Sequence, residues 1–386
     1  MKKFVLALAL VICSVFATQA EIIQHTHQIA EVKFTGSSYA LGRHVGEVAQ
    51  DQILDGIGRF NKTLGVMLPG LSVESLSRNF KEKGVYAKLE QSSPDAAAYI
   101  KGLSDALGFE PDYLLSVGMS DEAILESQRN GGVGFLEAPA KCTVMGRTDS
   151  AGQAWAAANF DYMGVNYKGL IVLNHTNEDG QTKVIQTWAG LIPYGGITVG
   201  GQPLLMNTMA DEGTYREKQK GNILAEGAVP SFHLSWEAYN QSSPEELREM
   251  YVHGDYTAFF SYIMVDAEGA ATNFENAYGD DKLRVKSSNA LAHSNHSLFV
   301  RHDFVDEKFG AHSLKRQAAA DEFITTASMD VSHEEVIAFL QSKPLWKGRD
   351  KFMGTVTSTY FQVAGKKVDM YIHTDIGQEP VHIRNY

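Results

Sequence analysis

The chain has 386 residues, 44% hydrophobic and 21% charged, which leaves room for one large domain or two to three modest ones with a substantial core. That balance argues against wholesale disorder, collagen-like repetition and a bundle of membrane spans. Its 34 basic against 46 acidic side chains give a formal net charge of −12, the wrong sign for a surface that displaces counterions from nucleic acid.

Residues 1–20 read as a cleaved secretory signal. Lys2 and Lys3 precede an apolar run from Phe4 to Phe16, and Ala17-Thr18-Gln19-Ala20 offers the small residues that signal peptidase takes. Ile12 before Cys13 is too bulky for a lipoprotein site, so the reading is a soluble exported protein, periplasmic or secreted. No later stretch approaches the apolar length of a membrane span. From about 37 to 140 the pattern is mainly helical: Leu41, Val45, Val48, Ile53, Ile57, Phe60 and Leu64 recur mostly every three or four residues. A second helix is capped by Ser93, carries Pro94 in its first turn and is closed by Gly108. A third covers about 111–127, and Asn130-Gly131-Gly132-Val133-Gly134 then breaks the pattern.

At Cys142 the texture changes to short β-like runs, at 142–147, 154–162, 168–175, 182–188 and 196–208, divided by turn signals such as Asp179-Gly180. Helices return at 229–252, with Ser243-Pro244-Glu245-Glu246 as a capping box. Strands are predicted at about 260–266, 270–277 and 282–286. Helices follow at 312–327 and 332–341, the second opened by the capping box Ser332-His333-Glu334-Glu335, and the last strands are 354–363 and 367–374. This order fits an α+β protein, helices layered on antiparallel sheets, better than βαβ alternation.

Once Cys13 leaves with the signal, Cys142 is the only cysteine and no intramolecular disulfide is available. A lone thiol in an oxidising compartment is a buried residue, a reactive group or an intermolecular link. Other chemistries fit poorly. Gly118-Met119-Ser120-Asp121-Glu122 lacks the final Gly of a serine-hydrolase elbow. There is no Walker loop, and Gly195-Gly196-Ile197-Thr198-Val199-Gly200-Gly201 is not a dinucleotide fingerprint, so no cofactor is predicted. His293, His296, His302, Asp303 and His312 cluster in sequence but match no zinc spacing, and His333-Glu334-Glu335 lacks a second His one turn on, so no metal ligand is assigned. Around Cys142 the pattern is sharper. A hairpin from Cys142-Thr143-Val144-Met145 through a turn at 149–152 to Ala156–Tyr162 would bring Asn159 and Asp161 alongside the start of the first strand. A thiol, an amide and a carboxylate would then converge. Trp155, Trp188, Trp236, Phe160 and Tyr162 could wall a pocket or fill the core.

Cys-Thr, a turn, and then Asn-x-Asp resembles the N-terminal-nucleophile hydrolases of the choloylglycine hydrolase and penicillin V acylase type. It also resembles their autoproteolytic relatives, the isopenicillin N acyltransferase family, over nearly the whole mature chain. Phe34-Thr35-Gly36 through Leu41-Gly42-Arg43-His44-Val45-Gly46, and Ile100-Lys101-Gly102-Leu103-Ser104-Asp105-Ala106-Leu107-Gly108, look like that family's two pro-segment signatures. Leu204-Leu205-Met206-Asn207 is similar to its strand-borne Asn, and Val265-Asp266-Ala267-Glu268-Gly269 through Asn273-Phe274-Glu275 to its Asp-x-x-Gly hairpin. Ala292-His293-Ser294-Asn295-His296 resembles its Thr-Asn-His segment, and Ser313-Leu314-Lys315-Arg316 matches its Ser-x-x-Arg. Ala158 stands where choloylglycine hydrolases have an Arg, and Lys141 where relatives often have Gly.

The resemblance implies a four-layer αββα sandwich over 142–386. It implies a mainly helical pro-segment over 21–141, retained as a second subunit after self-cleavage between Lys141 and Cys142. It gives Cys142 as nucleophile, Asp161 holding the freed α-ammonium, Asn207 lining the oxyanion hole, Asn295 orienting the amine or substrate, and Arg316 beside the thiol, where its charge would favour the thiolate. The implied function is cleavage of a linear amide C–N bond in an N-acylated small molecule through an acyl–Cys142 intermediate. Acyl transfer to an amine, an inert binding protein and a metalloamidase are the alternatives.

Overall fold

The computed structural model describes residues 20–129, 142–209, 224, 227–251, 255–276, 283–300, 308–348, 353–365 and 367–385. Residues 1–19 of the signal sequence predicted over 1–20, and Lys141, lie outside them. The short β-prone runs pair into two sheets. One has six antiparallel strands in the order β12 (Ala290–His293), β3 (Thr143–Thr148), β4 (Gln153–Met163), β13 (Met353–Ala364), β14 (Lys367–His373) and β15 (Val381–Asn385). The other has nine, in chain order: β1 (Ala20–Gln24), β2 (Ile29–Thr35), β5 (Leu170–Thr176), β6 (Thr182–Trp188), β7 (Ile192–Ile197), β8 (Pro203–Thr208), β9 (Phe260–Val265), β10 (Ala271–Asn276) and β11 (Leu283–Ser288). Its neighbours are antiparallel except β2 and β5, which run parallel from Ile29 opposite Leu170.

Strands β3 and β4 are buried on both faces for nearly their whole length, polar Thr143, Asn159 and Asp161 included. Their alternate side chains separate two cores. Val144, Ala154, Ala156 and Ala158 join the core shared with the nine-stranded sheet. Met145, Trp155 and Ala157 face a second core formed with Ala320, Ile324, Val336 and Ile337, from helices at Lys308–Thr326 and His333–Leu340. The sheets approach closely at Gly146, where a Cβ would lie 2.4 Å from a methyl of Val265.

Before Cys142 the structure holds seven helices among the described residues: α1 (Ser38–Val48), α2 (Gln50–Met67), α3 (Val73–Glu82), α4 (Val85–Ser92), α5 (Pro94–Leu107), α6 (Pro111–Gly118) and α7 (Ser120–Arg129). The apolar run from Leu41 to Leu64 is broken at Ala49, whose φ of −112° lies outside the helical range. The helix predicted over 111–127 likewise splits at Met119, at φ −116°. Helix α5 follows its punctuation: Ser93 Oγ accepts from the Ala96 N–H at 3.1 Å, and Gly108 ends the helix at φ +74°. Helices α1 and α5 cross through glycine, since a Cβ on Gly42 would lie 2.1 Å from the Tyr99 carbonyl oxygen and one on Gly102 2.1 Å from that of Tyr39. Both glycines belong to the stretches that resemble pro-segment signatures, 34–46 and 100–108, and the crossing gives these a packing reason.

After Cys142 come α8 (Phe232–Glu237), α9 (Pro244–Tyr251), α10 (Lys308–Thr326) and α11 (His333–Leu340). The box at Ser332 is complete, with Ser332 Oγ accepting from the Glu335 N–H and Glu335 from the Ser332 N–H. At Ser243 only half forms: its Oγ accepts from the Glu246 N–H at 3.2 Å, while Glu246 turns to the N–H and hydroxyl of Ser242. The single strand predicted over 196–208 is two, β7 and β8, joined by a turn with Gly201 at φ +84°. Strands β1, β2, β12 and β15 were not predicted.

The residues before Cys142 are woven into the rest. Besides the β2–β5 pairing, Asp95 at the start of α5 accepts from Trp236 Nε1 at 2.6 Å. The buried Lys183 ammonium lies 3.6 Å from the same carboxylate and 4.2 Å over the Trp236 ring. Tyr99 stacks on Trp236 at 4.3 Å.

Candidate active site

Cys142 immediately precedes β3. Because Thr143 pairs with Asn159, Cys142 comes level with Phe160 on β4, and Asp161 lies one residue beyond. The hairpin thus brings the thiol next to the Asp161 backbone, with Sγ donating to the Asp161 carbonyl oxygen at 3.6 Å. Cys142 is 4% exposed.

Arg316 approaches from α10 and is completely buried. Its Nη1 donates to the Cys142 carbonyl oxygen and, at 3.0 Å, to Thr143 Oγ1. Its Nη2 donates to Asn295 Oδ1 at 2.7 Å, and Nε to His312 Nδ1 at 3.1 Å. One helical turn earlier Ser313 Oγ accepts from the Asn295 N–H at 3.0 Å, since residues three apart share a helix face. Asn295 Nδ2 donates to the Thr208 carbonyl oxygen at 2.7 Å, tying this loop to β8.

The electrostatics correct one expectation. Arg316 does favour the thiolate, but burial, reinforced by the Asp161 carboxylate, prevails and pushes the Cys142 thiol up to about 12. A buried anion in low dielectric lacks the solvation that water gives it. The guanidinium N–H groups go to the Cys142 carbonyl, Thr143 and Asn295 rather than to sulfur. Burial likewise draws Arg316 down to about 10, opposed by Asp161 and Cys142, so it stays a cation at neutral pH. His296 falls to about 4, through burial and then the neighbouring His293, and is neutral there.

The structure therefore gathers Cys142, Asp161, Asn295 and Arg316, and turns the Asn207 amide to the backbone at 293–294. Asn207 Nδ2 donates to the carbonyl oxygens of Ser294 and, at 3.3 Å, His293, and faces His293 Nδ1 at 3.0 Å. Its Oδ1 is buried without a hydrogen-bond partner among the described residues. No hydrogen bond described here joins Asn207 to Cys142. Among the histidines weighed as metal ligands, His293 bonds to Glu275, His296 to Ser294 and Ser313, and His312 accepts from Arg316. His302 and Asp303 lie outside the described residues, and among those described no group of three or more His, Cys, Asp or Glu is placed to hold a metal ion.

A cleft opens beside the thiol, with an empty space of about 590 Å³ including the solvent at its mouth. Phe160, Tyr162, Met206 and Phe260 give it apolar walls, and Ser120, Asp121 and Glu122 of α7 supply a polar one. Tyr162 reaches across to α7, where its hydroxyl donates to Asp121 Oδ1 at 3.2 Å and shares a hydrogen bond with Ser120 Oγ. Trp155, Trp188 and Trp236 are core residues instead, fully buried. Sequence reasoning gave no site role to the α7 side chains, to Thr143 or to Glu275, the last named only as the end of the hairpin motif. Thr143 was visible as the second letter of Cys-Thr; nothing in the α7 sequence marks it as a cleft wall.

No protein-family model matches the chain, and no curated protein does. Among solved structures it is similar to the structure of penicillin V acylase from Agrobacterium tumefaciens, at 12% sequence identity and a TM-score of 0.37, over 63% of this chain and 85% of that one. No described helix is long and apolar enough to cross a membrane.

Proposed function

We propose that this chain is an exported cysteine amidohydrolase that cuts itself before Cys142 and then hydrolyses a linear amide C–N bond of an N-acylated small molecule. The observation that carries the reading is Cys142, the one cysteine among the described residues, at the head of β3, its thiol in a cleft wall and its carbonyl held by a buried guanidinium. The motif order around Cys142 supports it, as does the packing of helices α10 and α11 outside one sheet, which suits a four-layer αββα sandwich.

In the first step Sγ bonds to the Lys141 carbonyl carbon, the Lys141–Cys142 C–N bond breaks, and the thiol proton passes to the departing amine. Water then hydrolyses the thioester, giving a carboxylate on Lys141 and a free thiol. The freed α-amine, whose ordinary pKa is about 7.7–8.0, can take the thiol proton near neutrality. That matters because the thiol of the uncut chain is held protonated by burial. In catalysis Sγ attacks the substrate carbonyl, the amine leaves with the proton, and water releases the acid. Asp161 would hold the α-ammonium and Asn295 would orient it. For Asn207 to serve the oxyanion, its Nδ2 would have to turn from the 293–294 backbone. The segment 21–141 stays as a second subunit, because α7 walls the cleft and β2 pairs with β5.

The test is a panel of N-acyl p-nitroanilides, from acetyl to lauroyl and including phenylacetyl and phenoxyacetyl, incubated with the protein, quenched in acid and weighed intact. An acyl mass on the fragment beginning at Cys142, absent in Cys142→Ser, is the expected result. Release of p-nitroaniline that survives Cys142→Ser would contradict it. A competing primary amine that becomes acylated faster than free acid forms would make the protein an acyltransferase.

A further inference from the structure

Glu275, on β10, has no exposed surface, lies outside the cleft wall, and has no part in the chemistry above. Three donors converge on its carboxylate. His293 Nε2 at 2.9 Å and the Leu298 N–H at 2.8 Å meet at Oε1, and Ser297 Oγ donates to Oε2 at 2.6 Å. Burial pushes the Glu275 carboxyl up, but His293, Leu298 and Ser297 more than reverse this, leaving it below the ordinary range and ionised. Removing a carboxylate from water costs several kcal/mol, roughly, before its partners compensate. An apolar side chain would fill the place without that cost, so its shape alone does not explain the carboxylate; its three partners do.

Those partners are the two ends of one turn, 293–298. The middle of the turn carries Asn295, which accepts from Arg316 Nη2 at 2.7 Å, while Arg316 Nη1 holds the Cys142 carbonyl oxygen. Asn207 closes on the same turn from β8 through the His293 and Ser294 carbonyl oxygens. We propose that Glu275 is a positioning residue for the reaction at Cys142: by fastening both ends of the 293–298 turn it fixes Asn295 against Arg316, and Arg316 fixes the nucleophile's backbone. Reacting constellations tolerate errors of only about 0.5 Å, so loosening the turn should slow the chemical step and leave substrate binding in the cleft largely alone. The inference rests on the amidohydrolase reading.

The experiment compares Glu275→Gln and Ser297→Ala with wild type on whichever p-nitroanilide the wild type turns over. The turnover number is expressed per Cys142 titrated by iodoacetamide mass shift. Glutamine removes the charge and keeps one acceptor oxygen; with that oxygen on His293 and the Leu298 N–H, its amide N–H₂ faces Ser297 Oγ, which must turn from donating to accepting, so the hold on the 297–298 end of the turn weakens. The expected result is a 10- to 100-fold lower kcat for Glu275→Gln with KM within about twofold, and a two- to fivefold lower kcat for Ser297→Ala, both unfolding cooperatively. Turnover per titrated site equal to wild type in Glu275→Gln, with only a lower melting temperature, would overturn the proposal and make Glu275 purely structural. Should Glu275→Gln not fold, Ser297→Ala decides alone, and unchanged turnover per site overturns it. A wild type that turns over no amide and takes no acyl mass would instead remove the underlying reading.

Discussion

Arg316 grips Cys142 by its backbone rather than its sulfur, and this changes what the residue is for. A guanidinium presents several N–H donors in a rigid fork, so one side chain meets the Cys142 carbonyl, Thr143 Oγ1 and Asn295 Oδ1 together. Lysine keeps the charge but offers it from a single nitrogen that cannot span both sides. Arg316→Lys should therefore lower turnover on the order of a hundredfold while hardly changing the pH at which Cys142 is alkylated; a large shift in the alkylation profile would show that charge, not geometry, is the contribution. At this scale the sequence was informative because each residue sits in a motif of fixed spacing: Cys142 before Thr143, Asp161 at the end of Asn-x-Asp, Arg316 a turn after Ser313. The thiol's ionisation was not legible, because it depends on burial by strands distant in the chain. The amide direction of Asn207 was hidden for the same reason, being set by β12.

Element by element, legibility follows punctuation. Helix α5 was readable because Ser93, Pro94 and Gly108 mark its ends with local chemistry; the break at Ala49 has no such marker, and at Met119 the flanking Gly118 and Ser120-Asp121-Glu122 were not read as a stop and a start. Strand β12 was missed because it is only four residues long and is recruited by β3. Strand β2 was missed because its parallel partner, β5, is far away in sequence. Glycine is a poor helix former by propensity, and the structure gives two helix glycines a purpose at the α1–α5 crossing. Gly102→Ala puts a methyl on the Tyr39 carbonyl, 2.1 Å away, and must push the helices apart. A loss of about 1–3 kcal/mol or more is expected, measured by urea unfolding. A variant as stable as wild type would mean that the two helices can separate at no cost.

Across the whole molecule the notable fact is that residues on both sides of Cys142 build the same sheet and the same cleft. Strand β2 extends the nine-stranded sheet through β5, Asp95 meets Lys183 and Trp236, and α7 faces the thiol. Burial draws Lys183 down to about 8 against the pull of Asp95, a cost that an unconnected surface would not carry. A chain cut at 141–142 would thus remain one body, held by β-pairing and core, and gain a new amine at Cys142 and a carboxylate at Lys141. The measurement that tests this most directly is the intact mass, under denaturing and reducing conditions, of the purified wild type beside Cys142→Ala. The account predicts two fragments in the wild type, the larger running from Cys142 to Tyr386, and a single chain in the variant. A wild type that stays whole, or a variant cut at the same bond, would contradict it.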